Sequence, residues 1–127
     1  MTSNTLKQAL SLIETPDTWC KRDRAQDKAG KPVPVMSKAA VKFCSRGALY
    51  RAMGSESADI SDLERFFTMK GNAGNPLALN YIGVNELRPH AAVLDMWREA
   101  VRLAEKEEAE GGPKSPKQLV EEFFRSV

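Results

Sequence analysis

Apolar positions recur at intervals of three and four through much of the chain, the spacing that turns one face of an α-helix toward a core. Leu6, Ala9, Leu10 and Ile13 predict a first helix over Thr5–Glu14, with Ser3 or Asn4 as its cap. Pro16 ends it, because the proline ring restricts Thr15 and supplies no N–H. Trp19 follows in a short turn, where its ring is expected to pack over the helix end. The periodicity is lost from Lys21 to Met36, and Gly30, Pro32 and Pro34 predict an extended basic loop there. It returns from Ser37 to Met53, giving a second helix with Ser37 as cap and Gly54 as its left-handed terminator. On such a helix Lys38, Lys42, Ser45 and Arg46 share one sector, while Ala40, Cys44, Gly47 and Ala48 form a small-residue face that another helix can approach closely.

Ser61 with Glu64 has the capping-box spacing, and it opens a third helix with Leu63, Phe66 and Phe67 inward, closed near Gly71. From Asn72 to Val84 the signals conflict, and irregular structure is the reading adopted. Pro89 sits at the first position of the clearest amphipathic helix, carried by Val93, Met96, Trp97, Ala100, Val101 and Ala104. An acidic run to Glu110 and then Gly111-Gly112-Pro113 reads as a linker. Beyond it Leu119, Val120, Phe123, Phe124 and Val127 stripe a terminal helix. The predicted fold is mainly α: a single-domain bundle of about five helices with an irregular insert and a basic loop, its core over residues 1–110 and a linker with a C-terminal amphipathic helix over 111–127. Phe123 and Phe124 must be covered, by the bundle itself or by a second chain, which makes them candidate interface residues for a homodimer or for an unidentified protein partner.

A length of 127 residues at 42% hydrophobic content suits one domain with its own core. The polar start and the lack of any apolar run near the ~20 residues of a membrane span predict neither a secretory signal nor a bilayer helix, hence a cytoplasmic location. In a reducing compartment Cys20 and Cys44, which form no C-x-x-C pair, are expected to be free thiols. Charge changes the picture more. The net +2 divides into −1 over residues 1–20, +7 over 21–51 and −4 over 52–127. One basic lobe beside an acidic surface suits an anionic partner or simply a solvated face.

The most specific catalytic and metal signatures are missing: no phosphate-binding glycine loop, no G-x-S-x-G and no H-E-x-x-H. No cofactor and no metal are expected, since a zinc site would have to gather Cys20, Cys44 and His90 from three distant segments. A nucleophilic site is conceivable on paper, with Cys44 attacking, His90 as base, and Asn85 or Glu86 orienting the imidazole. Against it, Cys44 is expected in mid-helix on an apolar face, where a thiol resists ionisation. The bland alternative makes Cys44 a small core residue and His90 a core-edge group. Lys38, Lys42 and Arg46, with Trp19 as a stacking surface, are the candidate binding residues for nucleic acid or another polyanion, although nothing in the pattern reads bases.

The sequence Pro16-Asp-x-Trp19, a basic stretch with Asp27 and Gly30, then Ala40-Val-x-Phe-Cys44-x-x-Gly47-Ala48-Leu49, and finally Asn85-Glu86 before His90-x-x-Val93-Leu94 resembles the DUF6197 family over roughly residues 5–104. The resemblance implies a small bacterial or phage protein in which Trp19, Cys44, Asn85 and His90 cluster in one fold, and it carries no activity, substrate or cofactor. From the residues and the resemblance together, the expected function is that of a protein-binding or regulatory accessory module. The alternatives are a cysteine hydrolase using Cys44 and His90 and a polyanion binder using segment 21–51.

Overall fold

The structure, a computed structural model, describes residues 2–68 and 81–111. Five helices carry the described chain: α1 (Thr2–Ile13), α2 (Ser45–Met53), α3 (Ser61–Thr68), α4 (Tyr81–Leu87) and α5 (His90–Ala109). A 3₁₀ turn at Pro16–Thr18 follows α1, and two short antiparallel strands, β1 (Ala25–Gln26) and β2 (Lys42–Phe43), pair Ala25 with Phe43 and Gln26 with Lys42. The mainly helical, single-domain expectation is therefore met. The predicted linker and terminal helix, with Phe123 and Phe124, lie outside the described residues, as does most of the predicted irregular insert.

The core forms where α1 packs against α2 and α5. Leu6 and Ile13 of α1, Leu49 of α2, Phe66 of α3, and Val93 and Trp97 of α5 are fully buried there. Phe67 joins two neighbours to this core, stacking on Tyr81 with ring centroids 4.9 Å apart and meeting Trp97 edge-on at 4.9 Å. Such ring pairs add about 1 kcal/mol each beyond the area they bury.

Helix α1 begins three residues before its predicted start, because α5 supplies the cap. The Glu108 carboxylate accepts the Ser3 N–H at 2.8 Å and the Ser3 hydroxyl at 2.6 Å. These bonds hold the Glu108 carboxyl below its ordinary pKa of 4.5. A carboxyl whose folded pKa is lowered contributes stability above its ordinary pKa and loses it as pH falls through the folded value. The urea midpoint of Glu108→Gln should therefore lie below that of the wild type at neutral pH, with the gap closing in acid. Parallel profiles would show that the cap does not contribute.

Three further expectations are corrected. The second helix begins at Ser45, not Ser37, because residues 41–44 spend their backbone on the preceding segment: Val41 N–H donates to Gln26 O (3.0 Å) and Cys44 N–H to Arg24 O (3.2 Å). From Lys42 to Ser45 burial alternates with period two, with Phe43 and Ser45 inside, as a strand requires. Lys38, Lys42 and Arg46 consequently do not share a helical face: Lys38 lies before β2, Lys42 on it, and Arg46 in the first turn of α2. At Gly47 the small-residue face receives a backbone segment, since a Cβ there would lie 1.8 Å from the Arg24 carbonyl oxygen.

Second, Tyr81–Val84 is helical. Gly83 weakens local propensity, but Tyr81, Val84 and Asn85, at i, i+3 and i+4, are all buried, so tertiary packing decides the conformation. Third, Ser61 is not a cap. The Asp59 carboxylate accepts both the Ser61 N–H (3.0 Å) and the Ser61 hydroxyl (2.7 Å), while Glu64 accepts a hydrogen bond from the Tyr81 hydroxyl and ties α3 to α4. Of the other helix ends, α1 stops before Pro16 and Gly54 closes α2 at φ +82° as expected, Pro89 is the N-cap of α5 and not its first residue, and the expected closure of the third helix near Gly71 lies outside the described residues.

Candidate functional site

Asn85, on the buried side of α4 and 2% exposed, is the polar centre of the molecule. Its Oδ1 accepts three hydrogen bonds: from Trp19 Nε1 (2.8 Å), from the Ser45 N–H (2.9 Å) and from the Ser45 hydroxyl (2.8 Å). Its Nδ2 donates to the Cys20 carbonyl at 3.2 Å. Ser45 Oγ in turn accepts from Trp97 Nε1 at 2.9 Å. One amide thus joins the 3₁₀ turn, the start of α2 and, through Ser45, the middle of α5. Every polar atom in this chain of bonds has a partner, the condition under which a buried network adds to stability.

Cys44 is not in mid-helix. It is the N-cap of α2, and its Sγ accepts from the Gly47 N–H at 3.3 Å. Burial pushes its thiol pKa up, and the Gly47 and Arg46 N–H groups partly oppose the rise. Cys20, buried 24 residues earlier, is pushed up to about 12, first by burial and then by the negative charge of Cys44, Asp23 and Glu86 as neighbours. Its thiol donates to the Asp23 carbonyl at 3.4 Å. Both cysteines are free.

His90 opens α5 and reaches back to α1, with Nε2 2.7 Å from the carbonyl of Ile13, the last residue of that helix. Its ring lies 5.0 Å from that of Trp19, tilted by 43°. Trp19 therefore links the two candidates indirectly: it donates to Asn85 and lies against His90. No hydrogen bond among the described residues joins Cys44 to His90 or Asn85 to His90. The expected orienting partner Glu86 instead accepts the Arg22 N–H at 2.8 and 3.0 Å.

Trp19 is not a bare stacking surface either, for besides His90 it carries Lys21, whose Nζ lies 5.3 Å from the ring centre. Arg46 lies with Arg24 about the Tyr50 ring, their guanidinium carbons 5.8 and 4.7 Å from its centre. Burial opposes the Arg46 charge, and Tyr50, Tyr81 and Glu64 together outweigh that effect.

The basic lobe has a distinct electrostatic character. None of the nine Lys and Arg residues between 21 and 51 forms an ion pair among the described residues, whereas four of the six described elsewhere, Lys7, Arg65, Arg98 and Arg102, do. The carboxylates beside the lobe are occupied. Asp27 accepts the N–H groups of Ala29 and Lys31 at 2.9 Å each, Asp23 accepts Gln26 Nε2 at 2.9 Å, and Glu56 accepts the Val35 N–H. Met36 and Val41, 42% and 44% exposed, lie among these cations. Arg51 Nη1 donates to the carbonyls of Val35 (2.8 Å) and Ser37 (3.1 Å), which brings Met36 up to the last turn of α2, where Met53 is also exposed.

Sequence reasoning singles out Trp19, Asn85, Cys44 and His90 but misses Ser45, Trp97 and Cys20 as partners of the same network. Helical periodicity assigns Ser45 to a polar sector, although its position two residues beyond Phe43 in a period-two pattern is a signal of burial. Among the described residues no group of three or more His, Cys, Asp or Glu side chains could hold a metal, and no helix is long and apolar enough to cross a membrane. No curated protein and no solved structure matches the chain significantly. A family model described as a family of unknown function matches residues 1–103, and the chain accordingly belongs to DUF6197.

Proposed function

We propose that this protein is an accessory binding module that docks an acidic protein surface on the basic lobe formed by residues 21–46. The observation that carries this reading is the set of cations without carboxylate partners among the described residues, set around exposed Met36 and Val41. Unpaired surface cations raise the rate of encounter with an anionic partner, and apolar side chains among them supply desolvated anchors. A phosphate backbone would use the charges but has no use for the methionine and valine, which favours protein over nucleic acid. The bonding of Asn85 and His90 to structural partners supports a binding role over the hydrolase alternative.

The test is affinity capture from extracts of the source cells, with and without nuclease treatment. It compares the wild type with Lys38→Glu/Lys42→Glu and with Met36→Ser/Val41→Ser, each checked for folding by circular dichroism. A protein captured by the wild type, lost by both variants and released as salt is raised supports the proposal. Capture that disappears with nuclease treatment, or that neither variant alters, overturns it.

A further inference from the structure

The parallel bridge between Trp19 and Phe43, closed by the Cys20 N–H on the Phe43 carbonyl at 3.0 Å, sets two stretches of extended backbone side by side. The register of that bridge, carried one residue further along each chain, sets Cys20 opposite Cys44. Side chains alternate along extended chain, so the two cysteines leave the pair on the same side, opposite Trp19 and Phe43. Neighbouring strands lie about 4.8 Å apart, inside the Cα separation of roughly 4.4–6.8 Å that a disulfide spans. The charge of Cys44 also helps to raise the Cys20 thiol, in keeping with that proximity. The two residues differ in exposure: Cys44 is half-buried at the N-cap of α2, with Gly47 and Arg46 N–H groups directed at its sulfur, while Cys20 is buried. N–H groups at a helix start favour the thiolate, and the thiolate is the attacking form.

We propose that Cys20 and Cys44 are a dithiol site that reacts with small disulfides of the glutathione class and closes to an intramolecular disulfide at the base of the basic lobe. In the first step the Cys44 thiolate attacks one sulfur of oxidised glutathione, forming a mixed disulfide and expelling one glutathione thiolate, which takes up a proton. Conversion of Cys44 to a neutral mixed disulfide removes the charge that opposed ionisation of Cys20. The Cys20 thiolate then attacks the Cys44 sulfur and expels the second glutathione. In balance the protein loses two protons and two electrons, and oxidised glutathione is reduced to two glutathiones. Every cation from Lys21 through Lys42 lies within the closed loop, and the Asn85 amide already bonds both of its ends, through the Cys20 carbonyl and the Ser45 N–H. The inference concerns the thiols alone and does not depend on the proposed acidic partner.

The test incubates the native, fully reduced chain with oxidised glutathione at mildly alkaline pH and reads intact mass, free thiols and peptide maps. The wild type should lose both thiols and two hydrogens, retain no glutathione, stay monomeric with respect to disulfides, and yield a Cys20–Cys44 linked peptide. Cys20→Ser should stop with one glutathione on Cys44, and Cys44→Ser should react at least about tenfold more slowly than wild type. A wild type that keeps a stable glutathione adduct, forms only disulfides between chains, or reacts only after unfolding in urea overturns the proposal. Equal reactivity of Cys44→Ser overturns the assigned order of attack.

Discussion

Gly47→Ala should destabilise the protein by about 3 kcal/mol, although alanine is the better helix former by about 1 kcal/mol. Gly47 lies in the first turn of α2, and the Arg24 backbone crosses directly over it. An added Cβ would sit 1.8 Å from the Arg24 carbonyl oxygen and 2.6 Å from its carbonyl carbon. Neither atom is the end of a flexible side chain. The Arg24 carbonyl also accepts the Cys44 N–H, so moving it away breaks the bond that ends β2 and starts α2. Gly54 gives the comparison. It has φ +82° and nothing within 4 Å of the place a methyl group would take, so Gly54→Ala carries only the left-handed backbone penalty of about 1–2 kcal/mol. Denaturant unfolding should rank wild type above Gly54→Ala and Gly54→Ala above Gly47→Ala. A Gly47→Ala protein as stable as wild type would mean that segment 24–26 does not lie on α2.

The same glycine shows what is legible in the sequence. The small-residue run Cys44, Gly47, Ala48 signals close approach, and close approach is found, but composition cannot say whether the visitor is a helix or a bare strand of backbone. Helix ends marked by local steric rules, at Pro16, Gly54 and Pro89, are readable because their causes lie within a few residues. Ends set by distant partners are not. Ser3 starts α1 early because Glu108 lies across from it, 105 residues away in sequence, and Val41–Cys44 leaves the helical pattern because Arg24 and Gln26 offer hydrogen bonds. Helix α4 exists through Tyr81 and Asn85, whose value comes from Phe67 and from Trp19, Ser45 and Cys20. The candidate site divides in the same way. Its members Trp19, Asn85, Cys44 and His90 stand out by residue type, while the pairing among them is a property of the folded chain.

Asn85→Ala should cost about 4 kcal/mol, a large share of the ~5–15 kcal/mol that holds a domain of ordinary stability together. The side chain makes four hydrogen bonds in a buried place, and truncation leaves Trp19 Nε1, the Ser45 N–H and the Cys20 carbonyl without their partners at once. An unsatisfied buried donor or acceptor costs about 1–3 kcal/mol, and the cavity left by the amide adds to this. The effects will not sum fully, because the freed Ser45 hydroxyl can turn and some of these groups can relax together. Asn85→Leu discriminates between the contributions. It restores volume but no hydrogen bond, so it should be about as destabilised as Asn85→Ala if polar satisfaction dominates, and close to wild type if packing does. Urea unfolding followed by tryptophan fluorescence reports directly, since both Trp19 and Trp97 belong to the network. If Asn85→Leu unfolds with the wild-type midpoint, the amide is not what joins the 3₁₀ turn, α2 and α5.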